Sequence, residues 1–252
     1  MKAFVQIAHD GEFPNENFYS AWRAFSWYGF DVIKFKLEEA ETLEVSYDTP
    51  VYASVPVTGR LLRKMGVMTP MLPNYPESLK SFLGRKIEIV PIEDIIKDLK
   101  EGKKWFIKPL DEERKRFDGF VVEKEIDLVR AAYYPEMRVY RSEVIDFKAE
   151  WRVFIFDDQI LSVRPYKGSF RFHPDVTVIE EAVRKLKNPP IAYCLDFGTF
   201  QKGWTPDDYP DYKHVLVEAT DAFSFGHYGL DMTFFGQMII GRWEEIWKCN
   251  SK

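Results

Sequence analysis

Three cationic side chains lie on one predicted β-hairpin, Glu150 to Gly168 (EWRVFIFDDQILSVRPYKG). They are Arg152, Arg164 and Lys167, and Glu150 is the carboxylate that lies beside them on the strand. Like charges that face each other across a β-ladder destabilise it. Three cations on one hairpin therefore predict a site for an anion.

The register of this hairpin decides how close the two arginines come. A three-residue turn at Asp157 to Gln159 is favoured over a two-residue turn at Asp157 and Asp158, because it gives one clean apolar face. The apolar pairs it predicts are Val153 with Val163, Ile155 with Leu161, and Trp151 with Pro165. It also sets Arg152 opposite Arg164 with no resident partner, and at ~4 Å and an effective dielectric of about 20 they would repel by roughly 4 kcal/mol. The alternative is a pair of arginines that point into solvent.

Carboxylates end the next two apolar strand-like runs. Asp196 ends IAYCLD, and Glu218, Thr220 and Asp221 end VLVEATD. Glu218 and Thr220 are two residues apart, so their side chains share one face of a strand. With a carboxylate from a neighbouring strand they would suit Mg²⁺, which proteins bind through one or two carboxylates plus phosphate oxygens. Acids at strand ends are also common turn formers, but acids near a cationic hairpin match the charges of a metal-polyphosphate ligand.

Other common chemistries are missing from the sequence. It contains no GxGxxG after a strand, no GxxxxGK[ST] and no GxSxG. Neither cysteine, Cys194 or Cys249, has a histidine partner in an evident motif, and together they give neither a disulfide framework nor zinc spacing. The sequence therefore predicts neither a common phosphate loop nor a nucleophilic side chain.

Composition sets wider limits. The chain has 252 residues, is 46% hydrophobic and carries a net charge of -5, so it can bury a large core and gives no general reason to expect nucleic acid or an anionic membrane as partner. No window reaches the ~20 apolar residues of a membrane span, and no signal peptide is evident. We expect a soluble cytoplasmic protein.

The chain divides into two kinds of pattern. Residues 1–102 alternate strand-like and helix-like segments, including a strand at Ile87 to Val90 and a helix at Ile92 to Leu99, and predict a small parallel-sheet α/β domain. Residues 103–252 are mostly strand-like, with helices at Val176 to Leu186 and Phe234 to Trp247, and predict an α+β domain. We place a boundary near Gly102.

The order of five segments in the second half resembles an ATP-grasp domain, over about residues 103–245. WFIKPLDEERKRFDGF resembles the strand-lysine-proline unit and the phosphate-covering loop, and VYRSEVIDF resembles the hinge strand that holds adenine. EWRVFI with SVRPYKG, YCLDF and VLVEATDAFSFGHYGL follow in the same order. The two arginines and the lysine resemble the divergent clade named for such residues, which includes a eukaryotic translation-initiation assembly factor and phage and bacterial relatives.

The resemblance implies a fold and a set of nucleotide contacts. A pre-ATP-grasp α/β domain (1–102) would precede an ATP-grasp domain (103–252) of two α+β subdomains with ATP between them. The implied nucleotide-binding residues are Lys108 for the α- and β-phosphates, Lys115 or Arg116 through Gly119 for the loop over them, Ser142, Glu143 and Val144 for adenine, and Glu150 for the ribose or for ordering the arginines.

It also implies the reacting end of the site. Arg152, Arg164 and Lys167 would hold the γ-phosphate and the acyl-phosphate formed from it. Asp196, Glu218 and Thr220 would bind Mg²⁺. Relatives have asparagine at the position of Thr220, so either Asp221 compensates or one of the two usual metal ions binds weakly. Charge reversal at Arg152 would abolish ATP binding or turnover and leave the fold intact.

The implied function is an ATP- and Mg²⁺-dependent carboxylate-amine ligase that works through an acyl-phosphate. Its carboxylate and amine substrates are open, with a peptide or protein as one candidate, and a thiol is a less common nucleophile. The alternative is a non-catalytic ATP-binding assembly factor or chaperone for a protein partner. In a third interpretation the charges are ordinary surface features of a mixed α/β domain.

Overall fold

The chain begins with a small parallel sheet, as predicted. In the computed structural model, which describes residues 1–67, 71–110, 116–200 and 212–250, β1 (Lys2–Gln6) lies between β2 (Asp31–Phe35) and β3 (Val51–Tyr52). Helix α1 (Glu16–Trp27) connects β1 to β2, and the Asn15 side chain caps it by accepting the Asn17 N–H at 2.9 Å. Helix α2 (Val55–Lys64) follows β3.

The second sheet is antiparallel and has the order β4-β7-β5-β6. Its strands are β4 (Ile87–Pro91), β5 (Trp105–Pro109), β6 (Phe120–Val122) and β7 (Arg138–Ser142), and α3 (Ile92–Lys100) connects β4 to β5. The strand predicted near Ile87 exists, but it pairs with β7, so the prediction that it belongs to the parallel sheet is wrong. The division into domains at residue 102 stays a prediction, and it cuts through this sheet.

The third sheet is antiparallel, in the order β11-β10-β8-β9. Its strands are β8 (Ala149–Phe156), β9 (Gln159–Gly168), β10 (Ala192–Phe200) and β11 (Lys213–Asp221). Helix α4 (Val176–Lys185) connects β9 to β10. Strand β8 is central and is buried over nearly its whole length, so any charge on it is held within the fold.

The C-terminal helix α5 (Met232–Asn250) joins the first and third sheets. Phe235 and Met238 pack in one cluster with Phe154 of β8, and Trp243 and Ile246 pack in another cluster with residues of the first sheet. The apolar positions predicted for this helix therefore serve as core.

No helix among the described residues is long and apolar enough to cross a membrane.

The β8–β9 hairpin corrects the predicted turn and confirms the predicted arginine pair. The turn is the two-residue Asp157-Asp158, with φ of 49° and 60°, and aspartate tolerates this left-handed region better than most residues. A register shift between Phe154 and Ile155 then sets Ile155 opposite Ile160. The shift absorbs one residue, so a two-residue turn coexists with the predicted pairs Val153–Val163, Trp151–Pro165 and Arg152–Arg164.

Strand β11 is an edge strand, and the segment 71–85 lies along it. The Ala219 N–H donates to the Asn74 carbonyl at 2.8 Å, and the Leu72 N–H donates to Asp221 at 3.1 Å. Gly84 lies so close to β11 that a Cβ there would overlap the Val215 side chain. Covering an edge strand in this way satisfies its backbone groups and prevents pairing with other chains.

We predict that Gly84→Ala destabilises the protein more than Gly102→Ala. Both glycines have positive φ, 61° and 78°, but a Cβ at Gly102 meets no atom within 4 Å. The two variants therefore share a backbone strain of about 1 kcal/mol, and only Gly84→Ala adds an overlap worth roughly 1–3 kcal/mol. Urea unfolding of both variants measures the difference. Equal unfolding midpoints would show that segment 71–85 does not pack against β11 as described.

Candidate functional site

The second and third sheets enclose a cleft of about 890 Å³, and residues of the first sheet and α1 close one end of it. Its walls include most of the predicted site residues: Lys108, Gly119, Ser142, Glu143, Val144, Glu150, Arg152, Lys167, Asp196, Glu218 and Thr220. Segments far apart in the sequence thus meet at one place.

Four charged residues form one row across the third sheet. The register pairs Arg164 with Arg152, Arg152 with Asp196, and Asp196 with Glu218. Directly opposed residues lie on the same face of a sheet, with Cβ atoms about 4.5–5.5 Å apart. From β9 to β11 the row runs cation, cation, anion, anion, and its one change of sign sets Arg152 next to Asp196.

The centre of the row is a buried ion pair. Arg152 Nε donates to Asp196 Oδ1 at 2.8 Å and Arg152 Nη2 donates to Asp196 Oδ2 at 2.7 Å, with the two residues 5% and 2% exposed. Burial alone lowers the pKa of Arg152, but the charge and hydrogen bonds of Asp196 outweigh it and raise that pKa. The expectation that Arg152 has no resident partner is therefore wrong.

A second ion pair crosses the cleft. Lys108 Nζ on β5 donates to Glu218 Oε2 on β11, and also donates to Asn74 Oδ1 at 2.8 Å. Both ion-paired side chains are largely buried. This contact extends the charged row from the third sheet to the second. Lys108, which is implied for phosphate binding, is thus paired with Glu218, which is implied for metal binding.

A third pair lies at the mouth of the cleft. Glu150 accepts from Lys167 Nζ at 2.5 Å and from the Tyr166 hydroxyl at 2.8 Å. Burial, with the charges of Asp196 and Glu150, raises the pKa of Tyr166, so its hydroxyl stays protonated and donates. Lys167 is more than half exposed, and its ammonium group can therefore reach a ligand in the cleft.

An aromatic ring lies next to the buried pair. Tyr228 stacks on Tyr166 with ring centroids 4.9 Å apart, and the Arg152 guanidinium carbon lies 4.5 Å from the Tyr228 centroid. Arg152 Nη1 also donates to the Gly226 carbonyl at 3.4 Å. A cation over an aromatic face is stabilised by the ring quadrupole, so Tyr228 and Gly226 add to the contacts that Asp196 makes with the guanidinium.

The segment after β7 supplies an apolar wall. Ser142, Glu143, Val144 and Ile145 line the cleft, and the Phe147 ring lies beside them. Val217 of β11 lines the same cleft. Flat apolar walls with backbone groups between them are typical of sites for planar ligands.

Three predicted residues do not line the cleft. Arg164 is half-buried on β9, and its Nε has no hydrogen-bond partner among the described residues. The Arg116 guanidinium carbon lies 4.8 Å from the Tyr134 ring centroid. Asp221 is absent from the cleft wall as well. Lys115 lies outside the described residues.

The placement of Asp221 corrects its predicted metal role. Its two oxygens accept from Arg242 Nε and Nη2 of α5, both at 2.8 Å, and the Leu72 and Phe223 N–H groups also donate to it. It is one residue beyond Thr220, so it faces the opposite side of the strand. Asp221 therefore anchors α5 to β11 and does not reach the cleft.

Sequence reasoning did not single out several cleft residues, among them Asn74, Arg85 and Tyr166. Tyr166 lies within the cationic hairpin, where its position next to Lys167 was a usable signal. The other two bind partners more than 30 positions away, as Asn74 does with Lys108 and Arg85 with Leu216. No local pattern marks such contacts.

These features define a class of protein: two antiparallel sheets that close on a charged cleft, preceded by a small parallel sheet. The sequence profile of the ATP-grasp domain, R2K clade family 2, matches residues 82–238, more than half of the chain. The chain therefore belongs to this family and has the ATP-grasp fold. No curated protein matches it significantly.

Solved structures agree on the fold. D-cycloserine synthetase DcsG has a TM-score of 0.58 and 10% identity, covering 96% of this chain and 99% of its own. A RimK domain ATP-grasp protein from Sphaerobacter thermophilus DSM 20745 has a TM-score of 0.50 and 14% identity, covering 98% and 99%. Macrocyclase MdnC from Microcystis aeruginosa MRC, bound with its precursor peptide MdnA, has a TM-score of 0.50 and 11% identity, covering 95% and 99%.

We predict that charge reversal at Arg152 destabilises the fold, contrary to the expectation from the sequence. Arg152→Glu leaves Asp196 buried beside a second carboxylate, and breaking a buried pair costs about 3–5 kcal/mol. Chemical denaturation followed by tryptophan fluorescence measures the loss. Arg184→Glu is the control, because Arg184 is exposed on α4 and pairs with Glu180 at 3.7 Å, a contact worth at most about 1 kcal/mol. An Arg152→Glu protein as stable as the control would contradict the buried pair.

Proposed function

We propose that this protein is an ATP- and Mg²⁺-dependent carboxylate-amine ligase. The observation that carries the proposal is the meeting of three cations, Lys108, Arg152 and Lys167, with the carboxylates of Asp196 and Glu218 in one cleft. A polyphosphate with a bound divalent cation has the complementary charges. Membership of the ATP-grasp family supports the same ligand.

The cleft suits a nucleotide triphosphate in size and in chemistry. Its volume of about 890 Å³ lies within the range of small-molecule sites, about 300–1,000 Å³. The apolar wall at Val144 and Ile145 would receive the base. Lys108 and the segment around Gly119 would contact the α- and β-phosphates, while Lys167 and Arg152 would lie at the terminal phosphate.

The acidic residues suit magnesium. No three metal-ligating His, Cys, Asp or Glu side chains cluster among the described residues, but Mg²⁺ commonly takes one or two carboxylates and fills its shell with water and phosphate oxygens. Asp196 and Glu218 are direct neighbours across β10 and β11, and a carboxylate already hydrogen-bonded to a cation keeps further lone pairs. The Thr220 hydroxyl lies on the same strand face as Glu218. When bound, Mg²⁺ would neutralise phosphate oxygens as charge moves between them.

The reaction needs no side-chain nucleophile. A substrate carboxylate oxygen attacks the terminal phosphorus and the bond to ADP breaks; an amine nitrogen then attacks the acyl carbon, phosphate leaves and the amine proton passes to solvent. Arg152 and Lys167 stabilise the negative charge on the transferred group. Glu150 and Tyr166 hold the flexible Lys167 ammonium in place between turnovers. Cys194 is buried, and burial raises its pKa, so it is unsuited to attack.

We infer a peptide or protein as the carboxylate substrate. Residues of the first sheet and α1, including Phe18 and Tyr52, line the same cleft as Arg152, and a substrate next to the terminal phosphate would contact them. The fold is shared with macrocyclase MdnC, a protein bound with its precursor peptide. The rival function, a nucleotide-binding assembly factor, uses the same cleft but requires no turnover.

The test is coupled release of ADP and trapping of the activated carboxylate. The protein with MgATP, hydroxylamine and a panel of peptides and amino acids should form ADP and a hydroxamate in equal amounts. Lys167→Met should lower kcat by roughly 100-fold, the usual effect of removing one transition-state donor. Lys148→Met, which removes an exposed lysine paired with Asp146, is the control. If the protein binds MgATP tightly but forms no ADP with any of the candidate acids, the result would favour the assembly factor.

Glu218→Gln should affect ATP binding in opposite directions with and without Mg²⁺. Without metal, ATP can bind Lys108 of the unmodified protein only by breaking the Lys108–Glu218 pair, which leaves a largely buried carboxylate unpaired. The variant has a neutral amide in place of this carboxylate, so the free-energy penalty disappears. We expect at least fivefold tighter ATP binding in EDTA and at least tenfold weaker binding in excess Mg²⁺, measured by calorimetry. Glu77→Gln, at an exposed pair with Lys80, is the control. If the substitution weakens ATP binding equally with and without Mg²⁺, Lys108 does not exchange Glu218 for ATP.

A further inference from the structure

Arg85 lies in the wall of the cleft and holds backbone carbonyl groups of β11. Its Nη1 donates to the Leu216 carbonyl at 2.9 Å and to the Leu83 carbonyl at 3.0 Å, and its Nη2 donates to the Val217 carbonyl at 2.9 Å. No carboxylate among the described residues forms an ion pair with it. Burial lowers its pKa, although a hydrogen bond with Tyr75 and the nearby charges of Glu143 and Glu150 oppose this shift.

The carbonyls that Arg85 holds belong to an irregular step in β11. Asp196 of β10 faces Glu218, but the next residue, Phe197, faces Leu216, so Val217 is an extra residue in the strand. In a regular strand successive carbonyl groups point to opposite edges. One guanidinium can therefore bind the carbonyls of 216 and 217 together only where the strand is irregular, and a bulge of this kind re-aims the neighbouring side chains.

The residue directly after the bulge is Glu218. It faces Asp196 across the ladder and reaches Lys108 across the cleft. Without the extra residue, the alternation along β11 would shift by one position, and every side chain on one side of Val217 would change face. The bulge thus decides whether a carboxylate or an apolar side chain enters the charged row.

Among the residues that the structure describes, no strand pairs with β11 on the Arg85 side. Strand β10 supports the other edge, and on this side the segment 71–85 provides the contacts, with the Asn74 carbonyl accepting from Ala219 and Gly84 close to Val215. Arg85 is the part of that segment that binds the bulge itself. Its fork geometry suits two adjacent acceptors, whereas a lysine would present a single point of contact.

We propose that Arg85 is a positioning residue: it fixes the β11 bulge and so places the Glu218 carboxylate beside Asp196 and Lys108. The inference rests on the proposed function for what Glu218 then does, namely support magnesium-dependent nucleotide binding. Arg85 acts through the backbone and not through the ligand. Its loss therefore weakens the contribution of the metal and does not weaken the binding of metal-free ATP.

The test compares Arg85→Met and Arg85→Lys with Arg141→Met. Arg141 is a matched control, because it is also half-buried and donates to Glu88 and Asp98, both at 2.9 Å, and neither it nor these partners line the cleft. The first measurement is amide hydrogen exchange of residues 213–221 without ligand. The second is ATP affinity as a function of Mg²⁺ concentration.

Arg85→Met should speed exchange at residues 215–219 at least tenfold and raise the Mg²⁺ concentration for half-maximal ATP binding about tenfold. Arg85→Lys should fall between it and the unmodified protein, and Arg141→Met should change neither quantity. Unchanged exchange in Arg85→Met, or equal losses of ATP affinity with and without Mg²⁺, would overturn the proposal. If the unmodified protein binds no MgATP, the proposed function fails, while the exchange measurement still decides whether Arg85 holds the bulge.

Discussion

The buried ion pair of Arg152 and Asp196 is the interaction on which the cleft depends. Two charges on the central strands of a sheet are expensive to remove from water, and they are tolerated here because both guanidinium and carboxylate form two short hydrogen bonds. Asp196 and Arg164 lie on opposite sides of Arg152. The negative charge of Asp196 therefore offsets the repulsion between the two arginines. The side chains of β8 and β10 that face the cleft are grouped around the Arg152–Asp196 pair.

The edge strand β11 then carries the second carboxylate of the charged row. It places Glu218 and Thr220 on the cleft side and directs Asp221 to Arg242 of α5 on the other. One strand thus both lines the cleft and ties down the C-terminal helix. A local disturbance of β11 would therefore affect both the acidic side of the site and the core. The contacts from segment 71–85 stabilise the edge of this strand against such a disturbance.

Much of this arrangement follows from local sequence. The apolar face shared by the two strands of the hairpin predicted β8 and its opposition of Arg152 to Arg164, and the runs before Asp196 and Glu218 predicted β10 and β11. The order of motifs predicted the family. These properties depend on neighbours a few positions apart, or on a linear order, and both can be read without coordinates.

Most of the errors concern partners that are distant in the chain. The partner of Arg152 lies 44 positions away and the partner of Asp221 lies 21 positions away. Strand β4 was assigned to the wrong sheet because its pattern looks the same whether its neighbour is β1 or β7. The hairpin turn was wrong because a register shift leaves the alternation on each side intact and adds no residue type that marks it.

The pairing of charges within the cleft limits what can bind there. Lys108 is paired with Glu218, Arg152 with Asp196, and Lys167 with Glu150. A simple anion that drew these cations away would leave carboxylates unpaired, of which Asp196 and Glu150 are buried, and a bare metal ion would do the same to the cations. A ligand that carries both signs, such as a triphosphate with a divalent cation, would compensate both sets together. Under the proposed function, internal pairing would therefore favour joint binding of nucleotide and metal over binding of either alone, and thermodynamic linkage would require that each strengthen the other to the same degree.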